Sequence, residues 1–216
     1  MTNILLILAV IMPQPLKLFV YRRIMGWKIG KQVRIGFSYI ESDEVILGDN
    51  VLIRHFNVIR SLKHFQVGSD SYIANFNEFF GNNSPGTQWV RELTLGEKVL
   101  FMSHHFIDVA GTVTIGSHTT VAGRDTHFWS HSMTYPDGVP VLAPMDVHVG
   151  KGVYIGARST LLGCNIPDGA VVGAGSIVNK TFAPETSRLL IAGNPATIKK
   201  RYDSLPVADA SVHPYD

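Results

Sequence analysis

Two hydrophobic periodicities divide the chain. From residue 34 onward eight aliphatic–glycine pairs mark a repeat: Ile35-Gly36, Leu47-Gly48, Val67-Gly68, Leu95-Gly96, Ile115-Gly116, Val149-Gly150, Ile155-Gly156 and Val172-Gly173. Four positions after the aliphatic residue stands a small or β-branched one, at Val51, Ser71, Val99, Thr119, Val153, Ser159 and Ser176. A unit this short cannot bury its own apolar face, so it must stack on copies of itself, and a period of six predicts short parallel strands in a β-solenoid. Leu47, Val67, Leu95, Ile115 and Val149 stand 20, 28, 20 and 34 residues apart in turn. These gaps fit triangular coils of three hexapeptides, about 18 residues each, with insertions at corners. The two long excesses coincide with loop-forming text near 82–92 and 132–146. The aliphatic residues are expected inside, and a Cβ in place of the following glycine would crowd the corner.

Before the repeat the period is helical. Leu16, Phe19, Val20, Ile24 and Trp27 recur at helix spacing, with Lys17 and Arg23 on the other side. Two readings of this helix stand side by side. It caps the solenoid or packs on a neighbouring subunit, or it lies in an anionic membrane surface with Phe19 and Trp27 as anchors. The preceding apolar run, Ile4 to Met12, is nine residues, far short of the roughly 20 that span a bilayer. The chain thus divides into an amphipathic or capping segment at 1–33, a β-solenoid at 34–180, and a cap and tail at 181–216.

Charge sharpens the division. Residues 1–40 hold six basic residues and no acidic one, whereas the remainder holds 13 basic and 17 acidic residues. The whole chain is near balance at +2 over 216 residues, which gives no general attraction to nucleic acid. Twenty glycines and 11 prolines exclude a helical bundle. The single cysteine, Cys164, excludes an intrachain disulfide and a multi-cysteine zinc site.

The run Val147-His148-Val149-Gly150-Lys151-Gly152-Val153-Tyr154-Ile155-Gly156, the run from Val171 to Lys180, and Ile191-Ala192-Gly193-Asn194-Pro195-Ala196 resemble the hexapeptide-repeat acyltransferases. They are most similar to the sugar O-acetyltransferases of surface-polysaccharide type. The resemblance spans about residues 34–200. It implies a left-handed parallel β-helix, a homotrimer with active sites between subunits, acetyl-CoA as acyl donor, no metal, and a sugar or glycan acceptor. A cytoplasmic location follows, with weak peripheral membrane contact through residues 4–28 left open. One departure is that Ile155 and Val172 are 17 residues apart where relatives usually have 18, a shortening placed around 162–166 of the cofactor groove.

Acetyl transfer to a hydroxyl needs a base for the departing proton, and histidine suits neutral pH. Five of the nine histidines lie between residues 104 and 131. His131 opens the largest insertion, where a base can meet substrate, and Ser130-His131 matches the family's element that carries its catalytic histidine. Six-residue steps from Ile115 through Val121 place His127 at an interior position between Ile107 and Leu161, with a direct role as the lesser alternative. The steps from Asn77 to His105 and from His105 to Asp125 predict a polar ladder on successive rungs. That ladder either orients a base and binds sugar hydroxyls or only ties the coils together. Asp108 lies in the same family-like segment, and Trp129 suits either a sugar face or the core. Gly156, Ala174, Lys180 and Lys199 are expected along the acetyl-CoA groove. The expectations therefore name His131, His105 and Asp125 as catalytic and Asn77, Asp108, His127 and Trp129 as substrate-binding. Other readings are N-acetylation of an amino sugar, a zinc enzyme resembling γ-class carbonic anhydrases, where histidines across a subunit interface bind the metal and His105, His127 and His131 would supply the imidazoles, and a non-catalytic solenoid. Cys164 as acyl carrier is disfavoured because no histidine is near it in sequence.

Overall fold

A strand that ends at an aliphatic residue and turns at glycine repeats along the chain, and each copy pairs in parallel with the one a coil earlier. The computed structural model describes residues 2–85, 88–183 and 188–202; the expected tail beyond 202 and the segment 184–187 lie outside the described residues. The result is a left-handed parallel β-helix of triangular coils. Face I carries the interior residues Leu47, Val67, Leu95, Ile115, Val149 and Ile166. Face II carries Ile35, Ile53, Ile73, Phe101, Val121, Ile155, Val172 and Ile191, and face III carries Ile40, Ile59, Phe79, Ile107, Phe128, Leu161 and Val178. Face II is a nine-stranded sheet. Faces I and III merge into a twelve-stranded one because the long strands Tyr39–Leu47 and Val58–Val67 continue around their shared corner.

Close stacking explains the glycines. A Cβ on Gly156 would stand 2.5 Å from the backbone nitrogen of Ala174, and one on Gly68 would stand 2.5 Å from the carbonyl carbon of Gly96. Those distances are well inside van der Waals contact, so the corner accepts only glycine. At the corner between faces II and III one residue per coil adopts φ of 60–62°: Phe56, Phe76, His104, Asp125 and Arg158. The next residue turns inward, which builds a buried ladder of Ser38, Asn57, Asn77, His105, Thr126, Ser159 and Ser176. Each early rung answers a backbone N–H of the coil above. Asn77 N–H donates to Asn57 Oδ1 at 2.9 Å, His105 N–H to Asn77 Oδ1 at 2.9 Å, and Thr126 N–H to His105 Nδ1 at 3.1 Å.

This ladder corrects two expectations. From Val121 the chain takes seven residues, not six, to the next interior position, so Phe128 stacks between Ile107 and Leu161 while His127 faces out. For the same reason Thr126, not Asp125, occupies the rung above His105. The extra residue is absorbed in the turn Gly123-Arg124-Asp125, where Gly123 and Asp125 both have positive φ.

The first coil has no predecessor, and its open edge is closed by side chains. Helix α1 (Thr2–Ile11) leads into helix α2 (Gln14–Arg23). Gln14 Nε2 donates to Val33 O at 3.2 Å, and its Oε1 accepts from Ile35 N–H at 3.3 Å, imitating a neighbouring strand. Lys17 Nζ donates to Ile35 O at 3.2 Å, Gly36 O at 2.7 Å and Val10 O at 2.9 Å. Burial lowers the Lys17 pKa from its ordinary value. The helix therefore sits the other way round from a simple amphipathic reading: Lys17, Val20 and Tyr21 face in, and Leu16, Phe19 and Ile24 face out. Trp27, expected as an interfacial anchor, is buried and stacks on Tyr21 with ring centroids 4.0 Å apart. At the far end, the strand Arg188–Gly193 pairs with face II and is covered by the antiparallel strand Ala196–Tyr202.

Two outcomes follow from these buried polar groups. Lys17→Met leaves three carbonyl oxygens without that donor and is expected to cost about 2–3 kcal/mol in urea unfolding; a loss under about 0.5 kcal/mol would contradict the capping role. Burial also pushes the His105 imidazole down to about 4 from its ordinary 6.5, although the nearby Asp125 charge opposes the shift. The unfolded chain then binds a proton between those values that the folded chain refuses. Stability is full above pH 6.5 and falls toward pH 4, by up to about 3 kcal/mol. His105→Asn, which continues the asparagine ladder, should flatten this part of the decline in thermal unfolding between pH 7 and 4.5.

Candidate active site

All the large departures from the 18-residue coil occur at one corner, between faces III and I. Between the interior residues Phe79 and Leu95, and again between Phe128 and Val149, the chain leaves the coil there. The second excursion is an antiparallel hairpin, His131–Thr134 with Val141–Pro144. The shortened coil also loses its residue at this corner, at Leu162-Gly163-Cys164, where Gly163 packs under Met145.

His131 is the first residue of the hairpin. Its Nδ1 lies 2.8 Å from Asp108 Oδ2, across one rung. The Asp108 carboxylate also accepts from Ser130 N–H at 2.9 Å. Ser130 Oγ in turn donates to the Asp108 carbonyl at 2.7 Å and accepts from Ala110 N–H at 2.7 Å. Asp108 is 7% exposed. A carboxylate accepting from Nδ1–H fixes the tautomer and leaves Nε2 with its lone pair free. The His131 side chain is 25% exposed, and Nε2 makes no hydrogen bond among the described residues. Trp89 and Trp129 flank the ring edge-on, with centroids at 6.2 and 6.3 Å. Trp89 is itself fixed, its indole N–H donating to Ser84 O at 3.0 Å. A partly exposed imidazole held by a buried carboxylate between two indoles can accept a proton from a group that reaches it.

The remaining expected residues fall into separate places. Trp129 and His127 stand on the outer side of face III, where Phe106 packs on both rings. His105 and Asn77 are interior, 1% and 0% exposed, and neither side chain faces the corner that carries His131. His105 Nδ1 accepts from Thr126 N–H, and the Phe101 ring lies edge-on 5.3 Å away. With His105 inside and His127 outside, the three imidazoles do not converge within one copy of the chain, and the buried His105 is not presented to a neighbouring copy. Burial raises the Cys164 thiol to about 12, so it is no nucleophile near neutral pH.

Asp125 takes a different part. At the corner between faces II and III, a groove of about 750 Å³ runs along Ser103, His104, Gly123, Arg124, Ala157, Arg158, Ala174 and Gly175. Asp125 Oδ2 lies 3.5 Å from Arg124 Nε and 3.6 Å from Arg158 Nε, holding guanidinium groups of two rungs beside the groove. Gly175 has φ of +69° and open space where a Cβ would be, so the groove floor stays bare. Of the expected groove residues, Ala174 lines it and Gly156 is buried behind it, its O accepting from Ser159 Oγ at 2.8 Å. Lys180 lies over the Phe182 ring, and Lys199 lies in the terminal strand near Gly193. His104, Arg124 and Arg158 were not expected there. Their signal is positional: each stands at or beside the left-handed residue of its coil.

No family model matches the chain. A protein of Escherichia coli K12 provisionally named as the lipopolysaccharide biosynthesis O-acetyl transferase WbbJ is 31% identical over 143 residues, covering 57% of this chain and 71% of the relative. A chloramphenicol acetyltransferase of Agrobacterium fabrum is 37% identical over 65 residues, 29% of this chain and 30% of that protein. Among solved structures, the polySia-specific acetyltransferase NeuO superposes with a TM-score of 0.60 at 20% identity, covering 85% of this chain and 78% of NeuO. The hexapeptide-repeat acetyltransferase VCA0836 of Vibrio cholerae O1 biovar eltor, solved with acetyl-CoA, gives 0.51 at 20% identity, with 63% of this chain and 70% of that one covered. The two structures agree with the coil architecture, and the first relative extends the likeness to most of its own length. This chain belongs to the hexapeptide-repeat acetyltransferases.

Proposed function

We propose that the protein moves an acetyl group from acetyl-CoA directly to a sugar hydroxyl, with His131 as general base and Asp108 as the residue that positions it. The observation that carries this reading is the 2.8 Å contact between His131 Nδ1 and Asp108 Oδ2 at the insertion corner. The acceptor hydroxyl gives its proton to His131 Nε2 as its oxygen bonds to the thioester carbonyl carbon. A backbone N–H at the coil edge holds the resulting oxyanion. Collapse breaks the carbon–sulfur bond, and the imidazolium returns the proton to the CoA sulfur. The partly exposed indole of Trp129 offers an apolar wall for the sugar ring. The first relative's name, a lipopolysaccharide O-acetyl transferase, supports a glycan acceptor.

The donor fits the groove at the other corner. Arg124 and Arg158 suit the CoA phosphates, and the bare floor at Gly175 leaves room for the pantetheine arm. Lys180 and Lys199 lie toward the carboxy-terminal coils on the same end of the molecule. Within one copy, the six residues from Asp125 to His131 span roughly 15–20 Å along face III at about 3.3 Å each. A thioester in that groove therefore reaches the His131 of a second copy packed alongside, which supports a homotrimer with sites between subunits. The hairpin's exposed Met133, Tyr135, Val139 and Val141 supply apolar surface for such packing.

Calorimetric titration should show acetyl-CoA binding saturably, near one per protomer. Arg158→Glu should weaken it about tenfold or more, while His131→Ala leaves it unchanged. Absence of binding at millimolar acetyl-CoA would overturn the donor assignment. Asp108→Asn keeps side-chain volume but removes the charge that fixes the tautomer. It should lower kcat for acetyl transfer by about 10²–10⁴ with little change in KM for acetyl-CoA. A fall in affinity with kcat intact would instead make Asp108 a binding residue.

A further inference from the structure

Helices α1 and α2 close the solenoid with one face and leave the other without a partner. On α1, Leu6 and Ala9 are buried, while Ile4, Ile7, Leu8 and Ile11 form an outward row, 67%, 60%, 49% and 72% exposed. The row continues through Leu16 and Phe19 on α2 and Ile24 just after it, each at least half exposed. Neither this row nor any other part of α1 carries a charge. Each helix has ten residues, and no helix among the described residues is long and apolar enough to cross a membrane. Against a bilayer such a surface lies in the interface plane rather than across it.

Charge decides what covers it. All six ionisable side chains of residues 1–40 other than Tyr are basic, and none is acidic. Lys17 is turned inward, and Lys28 pairs with Glu44 at 2.8 Å. Arg22, Arg23, Lys31 and Arg34 stay exposed around the apolar row and make no salt bridge among the described residues. The rest of the chain carries 13 basic and 17 acidic residues, most of the acids in the middle coils. The far cap is basic too, through Lys199, Lys200 and Arg201, but no large apolar side chain is exposed beside them among the described residues, so only this end combines positive charge with an apolar row. We propose that the outer face of α1 and α2 docks the protein on a bilayer surface containing anionic lipid, with the solenoid axis rising from it. His131 then stands on the fifth coil, four rungs above the first, roughly 20 Å from the cap at about 4.8 Å per rung. That height suits a glycan acceptor carried some sugars away from its lipid. Docking itself does not depend on the catalytic reading.

The test is flotation of the full chain with vesicles of phosphatidylcholine alone or with 30 mol% phosphatidylglycerol (a chosen composition of about one anionic lipid in three). Binding to the anionic vesicles should exceed that to neutral ones about tenfold and weaken in 0.5 M salt, a concentration chosen to shorten screening to about 4–5 Å. The double variant Ile7→Ser/Ile11→Ser should lose about tenfold of the binding, and Arg23→Glu/Lys31→Glu should lose the preference for anionic lipid. Both pairs are exposed, so melting temperatures and acetyl transfer to a soluble sugar should stay as in the parent. Equal recovery of parent and Ile7→Ser/Ile11→Ser, or no flotation of either, overturns the proposal. So does a drop in oligomer size of that variant in sedimentation velocity, which would make the row a contact between copies. Loss of acetyl transfer in the parent with flotation intact would count against the catalytic reading alone.

Discussion

Each coil takes its backbone hydrogen bonds from the coil beneath it, and that demand governs the rest of the molecule. Parallel strands one rung apart leave no freedom in strand length or phase on faces I and II, where successive interior residues are six apart. Any residue beyond the repeat must leave at a corner, and the corner between faces III and I takes nearly all of them. Stacking also creates two ends with unpaired strand groups. Here they are met by Gln14 and Lys17 at one end and by an antiparallel hairpin at the other.

The candidate chemistry is a by-product of this arrangement. Residues released from the repeat at the insertion corner are free to be polar, yet they start from strands fixed by the ladder. Asp108 closes one strand and His131 begins the hairpin one rung above, so the two meet across a rung without any mobile element between them. The opposite corner shows the complementary case. There the turn repeats without large insertion, left-handed residues stack, and Phe56, Phe76 and His104 lie face to face at 5.2 and 4.9 Å. The groove begins where this aromatic stack gives way to Arg124, Arg158 and glycine.

The repeat was legible because an aliphatic residue before glycine is needed at every coil and is visible at any distance along the chain. The distribution of extra residues within a coil was not, since coil length is a sum over three corners. A single added residue in Gly123-Arg124-Asp125 was therefore enough to exchange Phe128 for His127 inside and Thr126 for Asp125 on the ladder. The Lys17 position was misread for another reason. A lysine on an amphipathic helix ordinarily faces water, but here the open first coil offers two carbonyl oxygens and helix α1 a third in place of water. The position of His131 at the head of a long insertion is legible in the chain, whereas its contact with Asp108 needed the rung register.

The most direct measurement is a crystal structure of the assembled protein with acetyl-CoA bound. The account predicts the CoA phosphates beside Arg124 and Arg158 of one copy and the thioester sulfur within about 4 Å of His131 Nε2 of the next. A sulfur more than about 10 Å from every His131, beyond the reach of one bridging water, would contradict it.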